Sequence, residues 1–577
     1  MARSRIAMSR RSFLAACSAA SLVAPWNENR AAAEPAPQDD LPASLKPLVD
    51  RKRKAIRAAM AKDAIPGGAV ALVYRGKVVW TEGFGTTARA SARPVDARTI
   101  FSVQSTSKNF TATAVMLAVQ KGMLNLDAPI TTYLPDFTVQ SRFERDPQRK
   151  MTLRLLLSHR AGFTHEAPLG NNYDGAFPPF EAHVRSISDT WLRYPVGERF
   201  AYANLGVDVA GYVLQKVTGM PFAECLKSMI FDPLGMTDST CNAAVYAARA
   251  NRADGHEDGY DKVPLQIPIV PSGGVYTSAT DMARYALFHL NRGSVSGKQL
   301  LQTKFWNEMH SFAFAGHAYG LGVIRERARF GDTVIDEFNH DGGGFGFVSA
   351  FSYYPQAGLA WCGFFNKPAA EGYEAFNDAL CGEILEQAYG RKQPVPSAQE
   401  LVTVEIPKEA QQDFVGTYLG RGGQLFEIKL DNGVLGMQVE DKFQKLSFTS
   451  AVDALLTDPS GEVAPMHLEA ATELRPKFLR CPGGPSFGDL DYNDGPADAH
   501  GPDKKEWQRY VGTYQMLVWG KPMVTVKVHM KNGYLYLDER KLVVEHEPGL
   551  FFSADGEALD FRRGQPTWFS IPLKPAG

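Results

Sequence analysis

The sequence predicts an α+β protein in which an antiparallel sheet with a helical subdomain is followed by two small antiparallel β-barrel-like domains. Three observations predict this order. Between about residues 50 and 388, β-rich runs stand at both ends and helix-like segments between them, which favours one sheet built from both ends of the domain. A Pro-containing stretch near 391–407 then interrupts the pattern. Beyond it a five-residue motif recurs after 96 residues, which indicates two similar modules.

Bulk composition sets the class of protein. At roughly 150 residues per domain, 577 residues suggest three or four domains. The 62 Lys and Arg residues nearly cancel the 63 Asp and Glu residues, so the net charge gives no reason to expect nucleic acid or an anionic membrane as partner. We therefore expect a small-molecule or peptide substrate. Oligomeric state stays open.

Residues 1–33 are predicted to be a Tat-type signal peptide. A twin arginine, Arg10-Arg11, precedes an apolar run over 13–23 that is too short to anchor stably in a bilayer. Three alanines, 31–33, then offer a small-residue cleavage site. We expect a periplasmic or secreted protein without a stable membrane span.

The first domain, 34–395, has elements that can be placed in order. Two β-rich runs over 69–74 and 78–80 flank a short Gly turn and predict a hairpin. Apolar periodicity predicts helices over 109–120 and 207–217, each followed by glycine. Strands are expected over 347–354 and 358–365, and a helix over about 373–389.

Two β modules are expected over 408–492 and 504–577. Phe414-Val415-Gly416-Thr417-Tyr418 recurs as Tyr510-Val511-Gly512-Thr513-Tyr514. Asn-Gly pairs at 432–433 and 532–533 are typical of tight hairpin turns. Small antiparallel barrels fit this pattern.

The first chemical motif is Ser105-Thr106-Ser107-Lys108, at the start of an apolar helix. Spacing i to i+3 puts the hydroxyl and the amine on one helical face. The helix N-terminus stabilises negative charge, and burial would lower the lysine pKa so that Lys108 could act as a base. Ser105 is thus a candidate nucleophile.

Two further motifs follow along the chain. In Tyr202-Ala203-Asn204, the phenol could pass a proton to a leaving group and the amide could hold a substrate carbonyl, although a core tyrosine and a capping asparagine are an alternative. In His340-Asp341-Gly342-Gly343, glycines allow a substrate to lie along a strand edge. A main-chain N–H there could stabilise an oxyanion.

In their order and spacing, these motifs resemble the serine β-lactamase and penicillin-binding superfamily: class C β-lactamases, D-aminopeptidases, DD-peptidases and family VIII esterases. The resemblance extends to segments 65–70, 153–162, 230–236 and 272–281. It implies an acyl-enzyme mechanism with Lys108 and Tyr202 as proton carriers. It also implies that Asn204, His340 and Gly342 bind substrate and that the N–H groups of Ser105 and Gly343 form the oxyanion hole. His159 matches a family position and is expected to support the structure.

One departure from the family bears on substrate. Class C β-lactamases carry Lys-Thr-Gly where this chain has His340-Asp341-Gly342. Losing the fixed positive charge weakens binding of a carboxylate, and Asp341 adds negative charge. Histidine here resembles the D-aminopeptidases and some esterases. We expect hydrolysis of peptide bonds in small linear or D-residue-containing peptides, with a carboxylesterase as the alternative.

Two rival interpretations are weaker. Gly484-Pro485-Ser486-Phe487-Gly488 matches the nucleophile elbow of α/β-hydrolases, but it lacks the strand and helix that such an elbow needs. A non-catalytic penicillin-binding sensor is the other alternative, and it would have no need for Lys108 beside Ser105. The cysteines after the predicted signal peptide are widely spaced. The sequence shows neither the spacing of metal-ligating residues nor a nucleotide-binding loop. We expect neither metal nor organic cofactor.

Overall fold

A computed structural model describes most of the chain. The described residues are 41–91, 93–171, 173, 177–265, 270–311, 319–344, 346–394, 403–420, 425–439, 442–457, 463–469, 478–480, 493–496, 502–538, 541–553 and 556–576. The predicted signal peptide and the Gly484–Gly488 elbow lie outside them. Over these residues the chain forms two compact units, one of 41–190 and 194–394 and the other of 191–193 and 403–576.

The first unit is built on one antiparallel sheet. Its strands and the short ribbons beside it are β1 (Gly67–Tyr74), β2 (Lys77–Gly85), β3 (Phe101–Ser102), β4 (Tyr276–Thr277), β5 (Ser294–Val295), β6 (Lys298–Gln299), β7 (Ile324–Phe330), β8 (Thr333–Asn339), β9 (Gly342–Gly344), β10 (Phe347–Tyr354), β11 (Leu359–Phe365) and β12 (Lys392–Pro394). The sheet order is β12-β7-β8-β10-β11-β1-β2, and β9 pairs with β10. Strands from both ends of the domain thus meet at β11 and β1, as the sequence predicts.

Helices fill the chain between these strands and follow the last of them. They are α1 (Lys46–Lys62), α2 (Ser107–Gln120), α3 (Leu153–Leu157), α4 (Phe180–Ser186), α5 (Asn204–Thr218), α6 (Phe222–Leu226), α7 (Asp232–Leu234), α8 (Ala243–Ala248), α9 (Val270–Gly273), α10 (Ala279–Leu290), α11 (Thr303–His310), α12 (Ala370–Phe376) and α13 (Ala379–Tyr389). Single turns of 3₁₀-helix lie at Gln104–Thr106, Ile130–Thr132, Pro147–Arg149 and Ile187–Asp189, and a π-helical turn lies at Lys227–Phe231.

One helix expectation needs correction. The segment expected as one helix over about 373–389 forms α12 and α13, with a break at Asn377. The carbonyl of Phe376 accepts a hydrogen bond from the Trp361 indole at 2.8 Å instead of continuing a helix. Oδ1 of Asn377 then accepts from the backbone N–H of Ala379 at 3.1 Å. Both bonds favour ending one helix and starting another.

The sheet core explains why β10 and β11 are apolar throughout. Every residue of both strands is buried, so alternation of polar and apolar residues is absent. Helix α1 packs its Leu48 and Ile56 into the same core cluster as Trp361. Burying each such side chain contributes about 1.5–3 kcal/mol, which fixes the sheet against α1.

Helix α2 lies inside the unit and carries the first chemical motif. Its residues from Ser107 to Ala118 are all buried, and hydrophobic and small polar side chains surround it. Such all-round burial is typical of a central helix. The ring of Phe110 stacks on Tyr285 at a centroid distance of 3.9 Å, which fixes the rotation of the helix.

The second unit contains two β modules. Helix α14 (Lys408–Phe414) leads into β13 (Gly416–Gly420), β14 (Leu425–Asp431), β15 (Val434–Val439), β16 (Lys442–Phe448), β17 (Asp453–Thr457), β18 (Val463–Glu469), β19 (Phe478–Arg480) and β20 (Asn493–Pro496), which form one eight-stranded sheet. A closed barrel follows, of β21 (Gly512–Val518), β22 (Lys521–Lys531), β23 (Tyr534–Leu537), β24 (Lys541–Glu547), β25 (Leu550–Ser553), β26 (Ala558–Asp560), β27 (Thr567–Trp568) and β28 (Ile571–Pro575). The expected α+β class with two β modules is confirmed.

The repeated motif has the same structure in both modules. The hydroxyl of Tyr418 donates to the carbonyl of Phe414 at 2.8 Å, and that of Tyr514 donates to the carbonyl of Tyr510 at 3.0 Å. In each case the tyrosine ties the first strand of the module to the short helix before it. The Asn-Gly pairs have positive φ at both residues, as their hairpin turns require.

Two further properties concern the chain as a whole. Within the described part of the chain, no helix combines the length and apolar character that crossing a bilayer requires. The cysteines that the structure describes, Cys225, Cys241, Cys362 and Cys381, are buried free thiols.

Candidate active site

Ser105 lies in the turn that leads into helix α2. The 3₁₀ turn Gln104–Thr106 runs directly into α2, and Ser105 is only 2% exposed. Gln104 has a φ of +49°, in the left-handed region that residues other than glycine rarely adopt. Backbone strain of this kind concentrates at functional sites. The turn holds the Ser105 hydroxyl beside the side chain one helical turn later.

Lys108 is buried and makes hydrogen bonds to three oxygen atoms. Its Nζ lies 3.0 Å from Oγ of Ser105, 2.8 Å from Oδ1 of Asn204 and 3.0 Å from the carbonyl oxygen of Ser272. The amide and carbonyl oxygens carry no hydrogen and only accept, whereas the serine hydroxyl also donates. A neutral lysine has two N–H bonds and one lone pair. In the neutral form, with both N–H bonds directed at the two obligate acceptors, the lone pair faces Ser105; in the protonated form the third N–H donates to the Ser105 hydroxyl oxygen.

Asn204 is held by a buried carboxylate. It is the first residue of α5, and its Nδ2 donates to Oε1 of Glu166 at 3.0 Å. The Nδ1 atom of His165 lies 2.9 Å from the same oxygen. Glu166 is 1% exposed. Because the carboxylate accepts from Nδ2, the other end of the amide, Oδ1, must face Lys108.

The Ser272 carbonyl is held from the other side of the site. The backbone N–H of Ser272 donates to Oδ1 of Asp208 at 3.0 Å, and Asp208 lies one turn after Asn204 on α5. Nε2 of His183 lies 3.3 Å from the second oxygen of Asp208. Burial lowers the pKa of His183, but the hydrogen bond with Asp208 and its charge outweigh burial and raise that pKa above its ordinary value. The hydrogen bond from Ser272 to Asp208 therefore fixes α9 against α5, and His183, on α4, contacts the same carboxylate.

Tyr202 places its ring over the lysine. The Nζ atom of Lys108 lies 4.9 Å from the centroid of the Tyr202 ring, within the range of a cation–π contact. The same ring lies 4.3 Å from that of His159 and 6.4 Å from that of His340, measured between centroids. Tyr202 thus lies between Lys108 and the third motif.

His340 has both ring nitrogens in contact with protein groups. Its Nδ1 lies 2.7 Å from the carbonyl oxygen of Asp341, and its Nε2 lies 2.9 Å from the hydroxyl of Tyr319. Burial, and to a smaller extent the nearby charge of Lys108, lower the pKa of His340 to about 3. The imidazole is therefore neutral at physiological pH.

The carboxylate of Asp341 is hydrogen-bonded to a residue of helix α12. Its Oδ2 accepts a hydrogen bond from the hydroxyl of Tyr373, on α12, at 2.6 Å. The sequence suggests negative charge beside the substrate at this position. The structure directs that charge toward Tyr373.

The glycines of β9 bring the strand against the nucleophile. A Cβ on Gly342 would lie 2.0 Å from the carbonyl oxygen of Val103 and 3.0 Å from the backbone nitrogen of Ser105. No side chain fits into that space. Gly343, the next residue, pairs with Val348 of β10. The predicted oxyanion donors, the N–H groups of Ser105 and Gly343, thus belong to adjoining segments of backbone.

The structure brings the three predicted motifs to one place. Lys108 binds Ser105 and Asn204 directly, Tyr202 covers the lysine, and β9 lies against the turn of the nucleophile. Sequence reasoning missed several buried groups that hold these residues: Glu166, Asp208, His183, Tyr319 and the carbonyl of Ser272. A signal existed for Ser272 alone, because it lies in the family-like segment 272–281.

Comparison with known proteins identifies the family. The Beta-lactamase family model matches residues 53–391, which is more than half of the chain. The chain therefore belongs to the beta-lactamase family. Its relatives in that family include penicillin-binding proteins and an esterase.

Individual relatives match to different extents. Penicillin-binding protein 4 of Amycolatopsis lactamdurans is 26% identical over 62% of this chain and 94% of its own length. Esterase EstB of Burkholderia gladioli is 30% identical over 30% of this chain and 46% of its own length. The chain spans about half the length of EstB and of several other curated relatives that it matches. A crystal structure of SurE, 20% identical over 76% of this chain and 98% of SurE, shares the fold with a TM-score of 0.51.

Proposed function

We propose that the protein is a serine hydrolase that works through an acyl-enzyme, with Ser105 as nucleophile and Lys108 as its base. The observation that carries the proposal is the environment of Lys108. Its Nζ contacts two oxygens that only accept, those of Asn204 and Ser272, and it also contacts the Ser105 hydroxyl. The lone pair of the neutral amine is thereby aimed at the one proton that must be removed.

The chemistry then follows from the positions of these groups. Lys108 takes the hydroxyl proton as the Ser105 oxygen attacks the substrate carbonyl carbon. The N–H groups of Ser105 and Gly343 donate hydrogen bonds to the carbonyl oxygen as negative charge develops on it. The proton returns to the leaving group by way of Tyr202, the carbonyl re-forms, and the leaving group departs. Water attacks the acyl-enzyme in the same manner and releases Ser105.

We further propose that the substrate is a peptide or another amide. The neutral state of His340 supports a substrate without a carboxylate at the position where class C β-lactamases present lysine. Amides require protonation of the leaving nitrogen, and we assign that transfer to Tyr202, whose ring lies over Lys108. An ester substrate is the second candidate, and the 30% identity to EstB over part of the chain favours it.

Paired substrates distinguish these candidates. The purified protein is assayed with D-alanyl and L-alanyl p-nitroanilides and with p-nitrophenyl butyrate, beside its Ser105→Ala variant. Turnover of an anilide that is lost in the variant supports the peptidase. Turnover of the butyrate alone overturns the peptidase and supports the esterase. Activity that persists in Ser105→Ala contradicts both.

We propose in addition that the protein is exported through the Tat route. The support is the sequence Ser9-Arg10-Arg11-Ser12-Phe13-Leu14, which precedes a short apolar run. Changing both arginines to lysine tests this proposal. The expected result is retention of the full-length chain in the cytoplasmic fraction, and unchanged export of the variant contradicts it.

A further inference from the structure

A hydroxyl group connects two buried histidines beside the candidate site. The Tyr319 oxygen lies 2.9 Å from Nε2 of His340 and 3.1 Å from Nε2 of His159. All three side chains are buried. His159 lies just after α3 and is hydrogen-bonded to the backbone of Ala203, in the second motif, whereas His340 lies just before β9. Tyr319 thus spans the gap between the second and third sequence motifs.

The backbone partners of the two histidines determine where each proton lies. Nδ1 of His340 faces the carbonyl of Asp341, which only accepts, so Nδ1 carries the proton. The ring is neutral, and its Nε2 must therefore accept the Tyr319 hydroxyl proton. Nδ1 of His159 accepts the backbone N–H of Ala203 at 3.2 Å, so its proton lies on Nε2 and is donated to the Tyr319 oxygen. The hydrogen bonds therefore all run in one direction. They pass from the backbone N–H of Ala203 through His159, Tyr319 and His340 to the carbonyl of Asp341.

We propose that Tyr319 is a positioning residue that locks His340 in its neutral form, with Nε2 as an acceptor. The inference rests on the proposed function of the same site. The hydroxyl stabilises the uncharged ring because His159 already donates to the Tyr319 oxygen, so an imidazolium Nε2–H on His340 would leave the hydroxyl hydrogen without an acceptor among these three side chains. It also fixes the ring plane of His340 relative to the Tyr202-Ala203-Asn204 segment. A consequence is that His340 adds no positive charge to the subsite next to β9.

The chain contains a matched arrangement away from the site. Nε2 of His310 lies 2.6 Å from the hydroxyl of Tyr353, and its Nδ1 lies 2.6 Å from the carbonyl of Trp306. His310 is buried, and burial lowers its pKa to about 3, as for His340. Tyr353→Phe therefore removes the same kind of hydrogen bond from the same kind of histidine without touching the proposed machinery.

The experiment combines nitrogen NMR with kinetics on the full chain. Histidine side chains are labelled with ¹⁵N in the wild type, Tyr319→Phe and Tyr353→Phe, and His340→Gln assigns the signal. In the wild type, His340 should show the neutral Nδ1–H form at pH 7. In Tyr319→Phe the Nδ1–H tautomer should persist, because the Asp341 carbonyl still accepts from it, and the pKa of His340 should rise by about one unit. The ester kcat/KM should fall about tenfold in that variant and less than twofold in Tyr353→Phe.

Two results would overturn the proposal. One is a wild-type His340 that is protonated, or that carries its proton on Nε2, at pH 7, and this result requires neither tyrosine variant to fold. The other is a Tyr319→Phe protein whose His340 signal and kcat/KM match those of Tyr353→Phe. Failure of the proposed function is separate, because it appears as activity that survives Ser105→Ala while the NMR result stands.

Discussion

Oε1 of Glu166 accepts a hydrogen bond from Nδ2 of Asn204 at 3.0 Å, and this bond determines which end of the amide faces Lys108. An asparagine amide presents a donor at one end and an acceptor at the other. If the Asn204 amide were rotated by 180°, Lys108 would face the Nδ2 donor instead of Oδ1. The lysine lone pair would then accept from Nδ2 in competition with the Ser105 hydroxyl. The carboxylate thus acts on the nucleophile through two intervening side chains.

Glu166→Met should lower kcat about 10- to 100-fold and leave KM within threefold, because it removes the acceptor that orients Asn204. The magnitude corresponds to about 1.5–3 kcal/mol for a hydrogen bond to a charged group. Glu166→Gln keeps one acceptor oxygen and should lose less. Steady-state kinetics on the most active substrate measures both.

Asp281→Asn is the control for Glu166. Asp281 is also a buried carboxylate with fixed donors, Ser239 Oγ at 2.9 Å and the backbone N–H of Asp238 at 2.7 Å, but it lies outside the site. This variant should lose stability and keep kcat. Equal losses of kcat in the Glu166 and Asp281 variants would contradict the positioning role.

Lys108→Met should lower kcat by about 10³-fold, because general-base assistance to a serine is typically worth 10²–10⁴. The melting temperature should change little or rise, since a buried amine is replaced by an apolar side chain of similar length. Pre-steady-state release of p-nitrophenol measures the acylation step. A Lys108→Met enzyme that acylates at the wild-type rate would exclude Lys108 as the base.

Gly342→Ala should remove most of the activity, because the added Cβ would lie 2.0 Å from the Val103 carbonyl oxygen and would push β9 away from Ser105. Gly382→Ala, in α13, is the matched substitution, since nothing lies within 4 Å of its added Cβ. It should keep full activity and gain about 0.5–1 kcal/mol in stability. Activity assays and thermal melts of both variants provide the comparison, and a fully active Gly342→Ala would contradict the assigned strand contact.

Stability should fall as pH falls from 6.5 toward 3. Burial holds the pKa of His310 at about 3, whereas in the unfolded chain it is near 6.5, so in this window the unfolded state binds more protons. By proton linkage this difference favours unfolding at low pH. His310 alone should lower the free energy of unfolding at pH 5 by about 2 kcal/mol relative to its value well above pH 6.5. His310→Phe should lower stability at pH 7 and flatten the dependence between pH 7 and 5. Chemical denaturation at the two pH values measures it, and an unchanged slope would contradict the assignment.

The sequence predicts the motifs better than the groups that hold them. Ser105 and Lys108 are recognisable because they are three residues apart where an apolar helix begins. The contact between Glu166 and Asn204 joins residues 38 apart, and that between His159 and Tyr319 joins residues 160 apart, and neither belongs to a periodic pattern. Such contacts depend on the packed fold. The break at Asn377 was missed for the same reason, because its cause is the distant indole of Trp361.

The site residues and the reaction are tested most directly by covalent labelling of the nucleophile. The wild type, Ser105→Ala and Ser486→Ala are each incubated with a fluorophosphonate, whose fluoride the serine oxygen displaces, and are then digested and analysed by mass spectrometry. The account predicts one phosphonylated peptide containing Ser105 in the wild type and in Ser486→Ala, and none in Ser105→Ala. Labelling at Ser486, or labelling that persists in Ser105→Ala, would contradict it.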